Sequence, residues 1–446
     1  SGASGAATGA SGAAITGALG AAGYRTHAVG KLHLNGFSLP AGADPASLDP
    51  LDYPESRDFW LGGRIKSLPL PYYGLQTAEL VDGHGDYIYG DYARWLEAEH
   101  PGASALYRRG NALRPPSGAD QSWVSAIPVE WHHSTWIADR TIDFIQREGA
   151  SGRPFFLWCS FPDPHHPYNP PEPYASLYDP TGIPLPPARE GEFDDLPPHY
   201  RQTYEVGLST SGRLDATRMP PAHRREIIAH TYGMISLVDA QVGRILDALE
   251  ALGLREDTIV VYLSDHGDLM HDHGLLNKGP FHLEGLLRVP FLWSWPGHFG
   301  EGLATPALAS LLDFAPTVLD LCGVPIPLGR VPPWPEAPAM LPPWPGVSLA
   351  PLLRGEVGRV HDAVLVENDE DYLGLRLRTL VTERYKLTAY PGQPYGELFD
   401  LQEDPHELHN LWASPAHAQL RDALRLQLLD ELVRTDSVLP RRLSHA

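Results

Sequence analysis

The sequence predicts an α/β fold, a mixed sheet sandwiched by helices, followed by a smaller C-terminal α+β subdomain. Three observations carry that prediction. Ile259, Val260, Val261, Tyr262 and Leu263 form an apolar, β-prone run too short for a helix, and it ends in the polar loop Ser264-Asp265-His266-Gly267. Before it, Ile227, Ile228, Tyr232, Ile235, Val238, Val242, Ile245 and Leu249 recur at three and four as far as Gly253, the pattern of a long amphipathic helix. A second unbroken apolar run, 154–160, reads as a buried strand. In open α/β sheets ligands sit beyond the carboxyl ends of the strands, which puts Asp265 and His266 where chemistry is expected.

Taken in order, residues 1–14 contain only Ser, Gly, Ala and Thr and read as a low-complexity start or linker. Residues 15–345 are expected to form the α/β domain and 346–446 the C-terminal subdomain, with a proline-dense linker at 325–345 between them. A short helix ending at Gly23 leads into a strand through Thr26-His27-Ala28-Val29. Lys31 and His33 follow it, and on an extended chain they project to one side. Together they can grip an anion and exchange a proton with it; alone they read as a solvated lysine and a packed histidine. Residues 40–130 are rich in turns and aromatics and read as lid and specificity loops, with His84 and Asp86 assigned to turn stabilisation ahead of substrate contact.

Ser134 and Thr135 are N-cap candidates for a helix bearing Trp136, Ile137, Ile142, Phe144 and Ile145, while His132 and His133 receive no role. After the 154–160 strand, Pro162, Pro164, Pro167 and Pro170 stiffen a loop that holds His165 and His166. Two adjacent imidazoles permit a metal reading, but no third ligand lies nearby in the sequence. Residues 170–221 read as a long surface loop. Beyond the Asp265 strand, Lys278 sits on a loop able to fold back over the same site. A carboxylate beside an imidazole suits a divalent metal, and an ammonium suits an anionic substrate. Then come a strand at 289–294, a helix at 313–321 capped by Asp313, and a last helix with Ser414 as N-cap and Leu420, Leu424, Leu428 and Leu432 on one stripe.

Composition narrows the function classes. With 34 basic against 55 acidic residues the net charge is −21, which argues against nucleic acid as a main partner. An anionic substrate then needs positive charge inside its pocket. Cys159 and Cys322 sit in apolar settings and read as buried free thiols. No apolar run has the length of a membrane span. Homo-oligomerisation is left open, and so is the choice between a cytoplasmic and a periplasmic or secreted location.

The stretch 23–33, Gly-Tyr-Arg-Thr-His-Ala-Val-Gly-Lys-Leu-His, resembles the second signature of the sulfatases, within the alkaline phosphatase superfamily. Asp265-His266-Gly267 and Asn277-Lys278-Gly279 are similar to the family's later motifs, His165 matches its Pro-His-x-Pro histidine, and 397–401 resembles its C-terminal subdomain signature. The resemblance runs from about residue 19 to about residue 411. It implies an alkaline-phosphatase-like sheet and hydrolysis of small-molecule sulfate esters. Asp265 and His266 would be metal ligands and Lys31, His33, His165 and Lys278 catalytic, with His165 on a sulfuryl or leaving-group oxygen. The cofactor implied is a divalent metal ion, calcium first, with manganese or zinc as alternatives.

The pattern is incomplete in these residues. The family's formylglycine arises in a Cys/Ser-x-Pro-x-Arg motif that is absent from the sequence, as are its paired metal aspartates upstream. We therefore expect a sulfatase-like hydrolase whose catalytic start is missing. The alternatives are a phosphonate monoester or phosphodiester hydrolase of the same superfamily and a non-catalytic anion-binding or scaffold protein. Loss of a central strand is further expected to leave apolar neighbours uncovered.

Overall fold

The computed structural model describes residues 14–40, 42–206, 208–209, 212–213, 219–325, 345–370 and 373–435. The low-complexity start, apart from Ala14, and nearly all of the proline-dense linker at 325–345 lie outside the described residues. The chain forms two compact units, Ser1–Pro184 with Pro220–Thr258, and Leu185–Met219 with Ile259–Ala446.

In the first unit, strands β1 (Arg25–Gly30), β2 (Thr77–Asp82), β3 (Tyr89–Gly90) and β4 (Phe155–Ser160) form a sheet of order β3-β2-β1-β4. β1 runs parallel to β2 and to β4, whereas β3 returns antiparallel along β2. Alternation along the pleat decides what each face meets. Val29 and Val81 pack with Tyr92, Leu96, Trp136 and Ile137, from the helices Asp91–Glu99 and His133–Ser151. Ala78 and Leu80 point the other way, toward Phe59, Trp60 and Tyr72 around the short helix Arg57–Leu61. Helices thus cover both faces. The Pro221–Ala251 helix lies against His133–Ser151, with Arg244 and Asp139 paired at 2.6 Å.

Several local expectations need correction. Residues 40–130 are not only loops, since they supply the interior strand β2 and a helix with Tyr92 and Leu96 fully buried. The His133–Ser151 helix is capped by His132, not by Ser134 or Thr135. The backbone at His132 is extended and its Nδ1 accepts the Ser134 N–H at 3.2 Å, the service a hydroxyl usually performs. β4, apolar but for Ser160, ends this sheet's strand order, and its residues are all only half-buried.

At the end of β1 the chain passes so close to β4 that a Cβ on Gly30 would lie 1.8 Å from the Ser160 carbonyl oxygen, and Gly30 has φ +106°. Gly30→Ala is therefore expected to lower stability by on the order of 3 kcal/mol, combining left-handed strain with overpacking. Urea unfolding of both proteins would check this; an unchanged midpoint would contradict it.

The second unit holds a short hairpin, β5 (Leu208–Ser209) with β6 (Gly212–Arg213), and the antiparallel pair β7 (Val260–Leu263) and β8 (Phe291–Ser294). Its larger sheet is antiparallel throughout, β9 (Ala363–Glu370), β10 (Leu375–Thr382), β11 (Tyr385–Ala389) and β12 (Gly396–Asp400), in the order β12-β11-β10-β9. The Ala418–Thr435 helix covers one face through Leu424 and Leu428, against Leu380, Leu387 and Leu398. This is the α+β subdomain the sequence predicts.

Here too the sequence reading is amended. β7 is half-buried, not fully buried, with Tyr262 exposed. The expected surface loop 170–221 contains the helix Pro198–Val206, which buries His199 and Tyr200 and packs Tyr200 with Leu269, Phe281 and Phe399. Asp313 does not cap its helix through its side chain. Instead it completes a capping box with Ser310 and bonds His361 at 2.9 Å and the Val347 N–H at 2.9 Å. Cys159 and Cys322 are free, as expected, but each is only half-buried. Among the described residues no helix is long and apolar enough to cross a membrane.

Candidate functional site

Because β1, β2 and β4 are parallel, their carboxyl ends emerge on one edge of the first unit's sheet. Each runs into a loop bearing a basic group: Lys31 after β1, His84 after β2, His165 and His166 after β4. Lys31 Nζ lies 2.9 Å from His84 Nε2, so the ammonium donates to an imidazole lone pair. His84 in turn stacks on His165, with ring centroids 3.5 Å apart and planes 9° from parallel. His165 Nδ1 is 2.7 Å from the His166 carbonyl, which requires the proton on Nδ1 and leaves Nε2 as the acceptor. The first unit thus brings one lysine and three histidines together at the carboxyl end of its sheet.

His33 departs from expectation. The chain is not extended there, since His33 has φ 52° and turns its ring edge-on to Phe37 at 5.5 Å. Lys31 consequently meets His84, a residue that sequence reasoning assigned to a turn. The signal that could have found it is its place two residues beyond a strand, Asp82-Gly83-His84, and that strand was itself unread.

The His165 loop is anchored from below. The Asp163 side chain is 5% exposed, with His133 Nε2 at 3.0 Å from Oδ1 and Ser134 Oγ donating to Oδ2 at 3.2 Å. Tyr92 and Tyr107 extend the network to His133 Nδ1. Burial works to raise the Asp163 pKa, but His133, His132 and Ser134 outweigh it and hold the carboxyl below its usual value. His132, His133 and Asp163 are also the one group among the described residues whose ligand atoms all lie within 4.8 Å of one another. The Ser134 N–H occupies His132 Nδ1, however, which places the proton of the neutral ring on Nε2, the atom facing Asp163 at 3.9 Å. A metal would need that lone pair. We read this cluster as a hydrogen-bonded anchor.

In the second unit, Asp265 and His266 follow β7 directly. Gly267 lets the loop pass the neighbouring backbone, since a Cβ there would lie 1.9 Å from the Gly285 carbonyl oxygen. His266 Nδ1 is 2.7 Å from the Gly267 carbonyl, so Nε2 is again the lone-pair nitrogen. Asp265 Oδ2 lies 3.5 Å from that Nε2, and the Asp265 side chain is 78% exposed. Adjacent ligands of a calcium-sized ion at about 2.4 Å stand roughly 3.4 Å apart, so these two atoms fit one divalent cation. The Nδ1–H to carbonyl bond is the outer-shell contact that orients a ligating imidazole.

Lys278 reaches the same nitrogen, with Nζ 2.7 Å from His266 Nε2. The intervening loop closes because Asp268 Oδ1 accepts from the N–H groups of Met270 at 3.0 Å and Asn277 at 2.9 Å. Met270, His271, His273 and Asn277 all take positive φ to make the turn, a strain that surrounding structure must impose. Burial lowers the Lys278 pKa, while Asp265 and Asp268 pull it back up.

The sulfatase family model matches residues 11–324, and a model of the C-terminal part of N-sulphoglucosamine sulphohydrolase matches 271–434. An arylsulfatase of Clostridium perfringens is 31% identical over 320 residues, covering 70% of this chain and 60% of that protein. The multifunctional alkaline phosphatase superfamily protein PehA of Trinickia caryophylli is 28% identical over 344 residues, 71% of this chain and 62% of that one. The chain thus spans about three fifths of the length of these curated relatives. Among solved structures, the phosphonate monoester hydrolase of Agrobacterium radiobacter superposes with a TM-score of 0.74 at 25% identity, covering 96% of this chain and 82% of that chain.

Proposed function

Because the chain belongs to the sulfatase family, we propose that it serves as a metal-dependent hydrolase of small-molecule sulfate esters. The observation that supports this most directly is the pair Asp265 Oδ2 and His266 Nε2, two ligand atoms of suitable separation, with the Lys278 ammonium holding the Nε2 lone pair that the ion would take over. The family binds a divalent metal ion. For this chain we propose calcium first, with manganese or zinc as alternatives because an imidazole is a ligand. When bound, such an ion would polarise the ester oxygens.

The chain's own residues have separable roles in this reading, none of them that of the nucleophile, since these residues contain no Cys/Ser-x-Pro-x-Arg motif. Asp265 and His266 would hold the ion, His266 once Lys278 leaves its Nε2 lone pair. Lys278, its charge poorly hydrated, favours the anionic ester group over water. In the first unit the family resemblance gives anion binding to Lys31 and His33, of which Lys31 is the one held on His84. His165, its Nδ1 proton fixed on a carbonyl, is proposed to present Nε2 to a leaving-group oxygen, which it protonates when the ring is the imidazolium and is left neutral afterwards. A second reading, hydrolysis of phosphonate monoesters or phosphodiesters, draws support from the likeness to the Agrobacterium enzyme.

The test is calorimetric titration of the protein with calcium and with manganese, then with an aryl sulfate. Asp265→Ala is expected to weaken metal binding at least about 100-fold, the scale on which losing an inner ligand exceeds the 10- to 100-fold loss of an outer one. Aryl sulfate should bind only to the metal-loaded protein. Metal-indifferent binding would overturn the reading, and relative turnover of an aryl sulfate and an aryl phosphonate monoester would separate its two forms.

A further inference from the structure

We propose that Glu55 is a positioning residue for the anion-binding loop, fixing the path of residues 33–35 and through it the presentation of Lys31 and His33. Glu55 is fully buried, an unusual place for a carboxylate. Its Oε1 accepts from the Leu34 N–H at 3.0 Å, the Asn35 N–H at 3.1 Å and the Tyr72 hydroxyl at 2.6 Å. Oε2 accepts the Leu34 N–H a second time at 3.1 Å. The residue's own carbonyl is held by the Tyr89 hydroxyl at 2.8 Å, and that hydroxyl also reaches Asp82 Oδ2 at 2.9 Å.

These bonds explain a backbone that the sequence alone would not adopt. His33 is in the left-handed region, which a non-glycine residue occupies only when its surroundings over-determine it. On one side of it the Lys31 N–H is tied to the Ser160 carbonyl at 3.1 Å. On the other, the Glu55 carboxylate takes two successive N–H groups. Lys31 and His33 are therefore carried on a segment pinned at both ends, and Glu55 supplies the second pin. The cost is visible in its ionisation. Burial, with a smaller contribution from Asp82, pushes the carboxyl up to about 7, against the Tyr72, Leu34 and Asn35 hydrogen bonds that lower it. A core position with no such task would be filled more stably by an apolar side chain.

The experiment compares Glu55→Met with Glu55→Gln in the full chain. Both are uncharged and of similar length, but only glutamine offers an oxygen where all the donors converge on Oε1. Two readouts are taken, peptide-level hydrogen exchange and calorimetric binding of inorganic sulfate. In Glu55→Met, exchange over 32–36 should rise at least tenfold with β1 unchanged, and sulfate affinity should fall about tenfold. Glu55→Gln should restore both to within about threefold of the parent. Should Glu55→Met not fold, Tyr72→Phe removes one donor from the same oxygen and should loosen 32–36 by a smaller factor.

Unchanged protection of 32–36 in Glu55→Met would overturn the proposal. So would equal losses in Met and Gln variants extending into β1, which would mark Glu55 as a folding residue only. The sulfate arm rests on the proposed anion site, whereas the exchange arm does not. A parent protein that ignores sulfate therefore sinks the anion-site reading and leaves the hold of Glu55 on the loop to be decided by exchange.

Discussion

Under the proposed sulfatase reading, replacing Lys278 with alanine is expected to cut turnover of a sulfate ester by about 10²–10³-fold, or roughly 3–4 kcal/mol of transition-state stabilisation. The magnitude follows from where the ammonium sits. Burial lowers the Lys278 pKa, so the charge is held in a poorly hydrated place where each unit interacts strongly with a developing anion. Two carboxylates, Asp265 and Asp268, pull that pKa back up. Its 2.7 Å contact with His266 Nε2 uses the lone pair that a bound ion would take, so the ammonium turns from that nitrogen toward the substrate once the ion is in place.

Lys278→Arg should recover little, since a planar guanidinium cannot take the place of a compact point charge in a closed loop. The measurement is kcat and KM for an aryl sulfate alongside calcium affinity. A fall in kcat with metal affinity preserved is the expected result. A rise in KM alone would make Lys278 a ground-state binder and contradict the assignment.

What the sequence disclosed, and what it hid, follows from the range of the interactions involved. The helix 221–251 and the strand before Asp265 were legible because their signals are local, a three-four apolar period and a short apolar run. The C-terminal sheet was legible for the same reason. His84 was hidden because its meaning depends on β2, whose sequence Thr-Ala-Glu-Leu-Val-Asp carries a polar residue on each face and no strong run. Only pairing with β1 in register, Ala28 opposite Ala78, makes it a strand. His132 as a cap was hidden because imidazole is a rare N-cap and Ser134 is a common one.

The course of the chain at His33 was hidden for a deeper reason. An extended path is the default for a residue just past a strand, and the force that overrides it is a carboxylate 22 residues away in the sequence, Glu55. The 170–221 region shows the same effect in apolar form. Its proline-rich, acidic composition describes the turns correctly, but Pro198–Val206 becomes a helix because Tyr200 finds Phe281 and Leu269. Tertiary burial, not propensity, forms that helix.

The second large effect expected concerns stability. Lys386 is fully buried in β11, with Nζ 3.0 Å from Glu284 Oε1 and in close contact with Glu407. Glu407 is buried as well, and its Oε2 accepts the Glu284 N–H at 2.7 Å. Burial raises the Glu407 pKa, with Lys386 as the largest opposing influence. Lys386→Ala would leave that carboxylate without its cation in a dry setting, and the expected loss is about 3–5 kcal/mol. Most of that loss would measure the stranded partner and not the worth of the pair. The double variant Lys386→Met, Glu407→Leu, which removes both charges and keeps the volume, should therefore lie within about 1 kcal/mol of the parent if the cavity repacks. Glu284, at 27% side-chain exposure, can turn to water in both variants and should not mask the comparison. Urea unfolding of the parent, the single variant and the double variant decides the matter. A double variant as unstable as Lys386→Ala would mean that the network holds the Glu284 backbone and β11 together through directed hydrogen bonds, which apolar packing cannot replace.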